Sequence, residues 1–90
     1  MYLHLGLDKV IRVDDIIGIF DLENTTASSS NITNSFLSTA TADGIVENVC
    51  TDLPKSFVLC LKDGARRVYI TQIAPSTILK RISNKYKGLL

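Results

Sequence analysis

The side chains that could do chemistry are His4, the thiols Cys50 and Cys60, the neighbouring acids Asp14 and Asp15, and the arginine pair Arg66–Arg67. A single histidine needs a nucleophile or a second base close by to act in catalysis. His4 lies far in sequence from any serine or cysteine placed for that role, so it is expected to serve packing or hydrogen bonding. Asp14 and Asp15 are consecutive, and on a strand consecutive side chains point to opposite faces, which denies them the geometry of a carboxylate pair. No glycine-rich phosphate loop and no metal-ligand spacing occurs, so neither an enzyme nor a metal or cofactor is expected. The two cysteines fall in separate strands with no CxxC. A disulfide would need those strands adjacent with Cβ atoms ~4 Å apart; the expected state is two reduced thiols acting as small apolar groups.

The cations are the informative groups. Residues 1–53 carry two basic and eight acidic side chains, 2 − 8 = −6, and residues 54–90 carry eight basic and one acidic, 8 − 1 = +7. The net charge of +1 therefore hides a strong division. Arg66 and Arg67 open a strand directly after "KDGA"; Lys55 precedes the partner strand; Lys80, Arg81, Lys85 and Lys87 fall in the terminal segment. Three destinations suit such charges. They can be solvated residues guarding a sheet edge, phosphate binders that release counterions from nucleic acid, or partners for the acidic half of an identical neighbour. The candidate DNA-binding residues are Lys55, Arg66, Arg67, Lys80 and Arg81.

The elements that must position them follow from periodicity. "MYLHL" alternates and reads as a strand, "GLDK" as a turn, and "VIRV" as the returning strand. "DIIGIFDL", Asp15 to Leu22, is a β-branched run expected to be a mostly buried strand, with a bulge or close backbone approach at Gly18. The Ser/Thr/Asn-rich segment 23–44 admits two readings, a flexible linker or a helix. The spacing of Ile32, Phe36 and Ala40 favours a helix from about Asn31 to Ala42, with Gly44 as a left-handed C-terminal cap. That helix would depend on docking Ile32, Phe36 and Leu37 onto the sheet.

"IVENVC" reads as a short strand. "SFVLCL" and "RRVYITQI" form a hairpin around Asp63-Gly64, a pair suited to a two-residue type I′ turn. That turn sets Lys62 against Ala65, Leu61 against Arg66, Cys60 against Arg67, Leu59 against Val68 and Phe57 against Ile70. One face then carries Phe57, Leu59, Val68 and Ile70, the expected core; the other carries Val58, Cys60, Arg67 and Tyr69. A terminal helix is expected near Ser76–Lys87, with Pro75 in its first turn, Ile78, Ile82 and Tyr86 on one stripe, and Gly88 as its stop. The whole reads as one domain over residues 1–90, an α+β fold with a mainly antiparallel sheet of five or six strands and two helices. No apolar run reaches the ~20 residues that span a bilayer, and the N-terminus lacks the pattern of a signal peptide.

Four blocks, "MYLHLG", "DIIGIFDL", "LPKSFVL" and "APSTILKR", resemble the RemB (YaaB-type) branch of the RemA/RemB extracellular-matrix regulatory family of Firmicutes. The resemblance spans nearly the whole chain except the Ser/Thr-rich segment. It implies a small cytoplasmic regulator of biofilm-matrix genes. Members of the RemA branch bind DNA without a helix-turn-helix and assemble into rings, with DNA thought to wrap around the outside. The resemblance therefore implies a DNA-associated transcriptional regulator acting as a ring-type homo-oligomer. Two departures weigh on the DNA part. Where the RemA branch has an arginine before the third-strand Ile-Ile, this chain has Asp15. Where that branch has an arginine pair ahead of "SFVL", this chain has Asp52-Leu53, although Lys55 matches a further basic position. The alternative is a protein-interaction or scaffold module of the same fold that has lost direct contact with DNA.

Overall fold

A computed structural model describes residues 1–22 and 38–87. The described residues form an α+β fold with six strands divided between two sheets. Strands β1 (Tyr2–Gly6) and β2 (Lys9–Arg12) form a two-stranded antiparallel hairpin, and a single 3₁₀ turn, Val13–Asp15, leads out of it. Strands β3 (Ile16–Asp21), β4 (Val46–Asn48), β5 (Ser56–Lys62) and β6 (Ala65–Thr71) form the larger sheet in the order β3-β5-β6-β4. The pairs β3–β5 and β5–β6 are antiparallel, while β4 lies parallel to β6. Helix α1 (Pro75–Lys87) closes the described chain. Among the described residues no helix is long and apolar enough to cross a membrane.

The β5–β6 hairpin has the register expected from its turn, from Lys62↔Ala65 through Cys60↔Arg67 to Ser56↔Thr71. The cause is local: Asp63 at φ 52° and Gly64 at φ 80° supply the two positive φ angles that match the twist of the flanking strands. The cap at the end of the Ser/Thr-rich segment is as clear. Residues 38–42 are helical, and Gly44 at φ 72° ends them. The Ile45 N–H then bonds the Ala40 carbonyl (3.1 Å) and the Gly44 N–H the Thr41 carbonyl (3.0 Å), the paired reverse bonds of a Schellman cap. The rest of the expected Asn31–Ala42 helix, with Ile32, Phe36 and Leu37, lies outside the described residues, as does Gly88.

Two expectations need correction. The β5–β6 face carrying Val58, Cys60 and Tyr69 is buried as well as the face carrying Phe57 and Val68. The reason is coverage from both sides. Leu3 and Leu5 of β1, Ile11 of β2 and Ile78 of α1 pack on Val58, Cys60 and Tyr69. Ala40 packs with Phe57 and Val68 on the opposite face. The second correction concerns β3, expected to be mostly buried. It is an edge strand, leaving Ile17 57% and Phe20 43% exposed. Its register shifts between Ile16 and Gly18, which is the expected bulge. What comes close at Gly18 is a side chain and not backbone: a Cβ there would sit 2.6 Å from the Phe20 ring, which stacks on Phe57 with centroids 4.7 Å apart.

The small sheet is tied to the large one by polar and steric fits. Thr71 is fully buried and its hydroxyl donates to the Leu5 carbonyl at 2.6 Å. Gly6, at φ 144°, rests so close to the Val49 carbonyl oxygen that no side chain fits between them. These fits fix where β2 stands relative to the end of the β5–β6 hairpin.

Candidate anion-binding groove

That juxtaposition creates a groove of about 500 Å³ between β2 and the turn end of the β5–β6 hairpin. Lys9 and Arg12, the only cations of the N-terminal half, enter it from β2, and Lys62 and Arg67 enter from the hairpin. The two halves of the sequence, so unlike in charge, thus place their cations together. Asp15 and Asp63 also line the groove, leaving a formal lining charge of 4 − 2 = +2. Tyr2 and Val10 add apolar surface, and Cys60 and Tyr69 lie at its base.

The cations differ in how they are held. Lys9 Nζ is 3.2 Å from Glu47 and 5.1 Å from the centre of the Tyr69 ring. Its pKa is raised, first by the bond to Glu47, so the ammonium stays charged across the physiological range. Arg12 makes a looser pair with Asp14 at 3.8 Å. Both pairs are solvent-accessible and contribute little to stability. Lys62 and Arg67 have no ion pair among the described residues.

Cys50 and Cys60 are free thiols, Cys60 buried and Cys50 half-buried with its thiol donating to Asn48 Oδ1. Burial pushes the Cys60 thiol up from the ordinary 9.0 to about 11; the Asp15 carboxylate adds to the rise and Lys9 opposes it. Below pH 9 both folded and unfolded chains hold this proton and its contribution to stability is intact. Between pH 9 and about 11 the unfolded thiol ionises first, so stability should fall by on the order of 2 kcal/mol. Urea denaturation of the wild type and Cys60→Ala across that interval checks this. The difference between the two should shrink as pH rises; a constant difference would show that Cys60 titrates like an unfolded thiol.

The candidate DNA-binding residues are exposed but are not gathered on one surface. Arg66 and Arg67 are adjacent on β6, so they face opposite sides of the sheet. Arg67 shares its side with Tyr69 and enters the groove; Arg66 projects from the other side. Lys55 precedes β5 at its far end. With Leu61 opposite Arg66, six residues separate Lys55 from that level, or about 20 Å of strand. There Lys55 is pinned through its backbone, which donates to Thr71 and accepts from Leu22, both at 2.9 Å. Lys80 and Arg81 stand exposed on α1, whose Ile78 faces the core. His4 is exposed, its Nε2 donating to the Leu7 carbonyl at 2.7 Å, the hydrogen-bonding role expected of it. Asp52 accepts from the Leu53 N–H at 2.8 Å, in a loop gathered by Gln72 Oε1, which accepts from the backbone of Thr51 and Asp52. The groove itself combines residues some fifty positions apart. The one sign of it in the sequence was the isolation of Lys9 and Arg12 among acids.

No family model matches this sequence. Over 81 residues it is 36% identical to extracellular matrix regulatory protein B of Bacillus subtilis (strain 168), an alignment covering 90% of this chain and 89% of that protein.

Proposed function

The chain belongs to the family of extracellular matrix regulatory protein B, and from that premise we propose that it is a cytoplasmic, DNA-associated regulator of matrix genes acting as a ring-type homo-oligomer. One observation carries the DNA part. Lys55, Arg66, Lys80 and Arg81 are all exposed, and none has an ion pair among the described residues. Cations without an ion pair can displace the counterions condensed on a nucleic-acid backbone, and the release of those counterions favours binding. Their dispersion suits a long ligand better than a compact one. About 20 Å of strand between Lys55 and the level of Arg66 matches roughly six base-pair rises, and copies in an assembly would repeat the spacing. Arg67 faces the groove instead.

The alternative, a scaffold of the same fold without DNA contact, draws support from the exposed apolar edge of β3, where Ile17 and Phe20 are open to solvent. The same edge also suits contact between copies. A mobility-shift series across a salt gradient, with particle size followed by light scattering, separates the readings. DNA affinity should fall steeply with salt, and the triple variant Lys55→Ala/Lys80→Ala/Arg81→Ala should flatten the slope by about three contacts per bound subunit. Absence of any shift at low salt from an intact oligomer would favour the scaffold. A 9.9 kDa particle at both low and moderate salt would remove the assembly.

A further inference from the structure

The groove between β2 and the β5–β6 hairpin has a composition unlike that of a DNA track. A nucleic-acid backbone is a continuous polyanion and is best met by an open surface of one sign. Here two carboxylates, Asp15 and Asp63, stand among the cations. Repulsion from them disfavours a passing duplex. A short ligand can place its anionic end at the cations and turn hydroxyl or amine donors toward the carboxylates. Four features define such a ligand. Lys62 and Arg67 are charged, converge on one cavity and have no ion pair among the described residues; a guanidinium fork beside an ammonium matches a phosphate monoester. The volume of about 500 Å³ lies within the range of small-molecule sites. Tyr2, 60% exposed, and Val10 supply an apolar wall for a planar ring. Lys9, held between Glu47 and the Tyr69 ring, fixes a positive charge near the base of the cavity.

We propose that this groove binds a small organic phosphate of mononucleotide size, its phosphate on Lys62 and Arg67, its ring against Tyr2, and its hydroxyl or amino donors toward Asp15. The site is separate from the exposed cations Lys55, Arg66, Lys80 and Arg81, and it stands whether or not they bind DNA.

The test is titration of the full chain, followed by NMR shifts or calorimetry, with adenosine, guanosine and uridine monophosphates, ribose 5-phosphate and inorganic phosphate as separate probes. At least one monophosphate should bind saturably and at least tenfold tighter than inorganic phosphate. Lys62→Ala/Arg67→Ala should weaken that binding tenfold or more, and Asp15→Asn should alter the ranking of the probes. Both cations are exposed, so the double variant should melt like the wild type. The salt-dependent DNA shift should persist in the single variant Lys62→Ala, which touches none of the candidate DNA-binding residues. No saturable binding of any probe at millimolar concentration would overturn the proposal. So would equal affinity for inorganic phosphate, or undiminished binding by the double variant. Loss of DNA and monophosphate binding together in Lys62→Ala would merge the groove with the DNA-binding cations and overturn the separation. Saturable monophosphate binding with no DNA shift under any condition would instead refute the DNA reading and leave the groove assignment standing.

Discussion

Replacing Ile78 with alanine is expected to lower the stability of the domain by about 4 kcal/mol, near the upper end for truncation of a buried aliphatic side chain. Ile78 is fully buried and packs with Leu3, Leu5 and Ile11, so α1 and the N-terminal hairpin meet through it. The hole would open between elements held by short segments, and each element has its own hydrogen bonds to keep, so collapse around the gap should be limited. A domain of ninety residues has roughly 5–13 kcal/mol in total, and the variant would stand close to unfolding. Leu79, one residue on and 56% exposed, is the internal control: Leu79→Ala should change stability by no more than about 0.5 kcal/mol. Urea midpoints with unchanged slope measure both. Equal effects at the two positions would mean that α1 is not seated as described.

Gly6→Ala is expected to cost about 3 kcal/mol. Two penalties coincide there. Gly6 holds φ at 144°, which L side chains rarely adopt, and an added Cβ would land on the Val49 carbonyl oxygen. That oxygen cannot easily give way, because Val49 is 3% exposed and its N–H is already committed to the Ile70 carbonyl at 2.9 Å. Gly44 separates the two penalties. It also has positive φ, 72°, but nothing lies within 4 Å of a Cβ added there. Gly44→Ala should therefore cost only the backbone term, about 1 kcal/mol. Similar losses at both positions would show that the contact with Val49 is not what requires glycine at position 6.

Legibility from sequence followed the range of the interaction. The β5–β6 register was readable because Asp63 and Gly64 specify the turn and the turn specifies every pair behind it. The cap at Gly44 and the helix from Pro75 were readable for the same local reason. Alternation in "MYLHL" and "VIRV" identified strands but not their sheet. Nothing local says that, among the described residues, this hairpin pairs only with itself and lies across Val58, Cys60 and Tyr69. For that reason the second buried face of the sheet was missed. Position Asp15–Leu22 was misjudged as mostly buried because apolar content does not distinguish a central strand from an edge. The groove was the least legible feature, since it exists only once the hairpin is docked. Arg66 and Arg67, adjacent in sequence, are parted by the pleat, while Arg67 and Arg12 are brought to one cavity.

The hydrogen bond from Thr71 to the Leu5 carbonyl spans 66 positions of chain, and it sets an order on how the protein can be made. The β1–β2 hairpin leaves the ribosome before β5 and β6, yet an isolated two-stranded hairpin is only marginally stable in water. Its acceptor at Leu5 has no partner until β6 has been synthesised, and its apolar face has none until β5 and β6 have paired. The β5–β6 turn closes over two residues and can form rapidly on its own. The earlier hairpin is therefore the later of the two to lock. Until it does, the walls of the groove stand apart, so a truncated chain ending before β6 would carry Lys9 and Arg12 without the site they help to build.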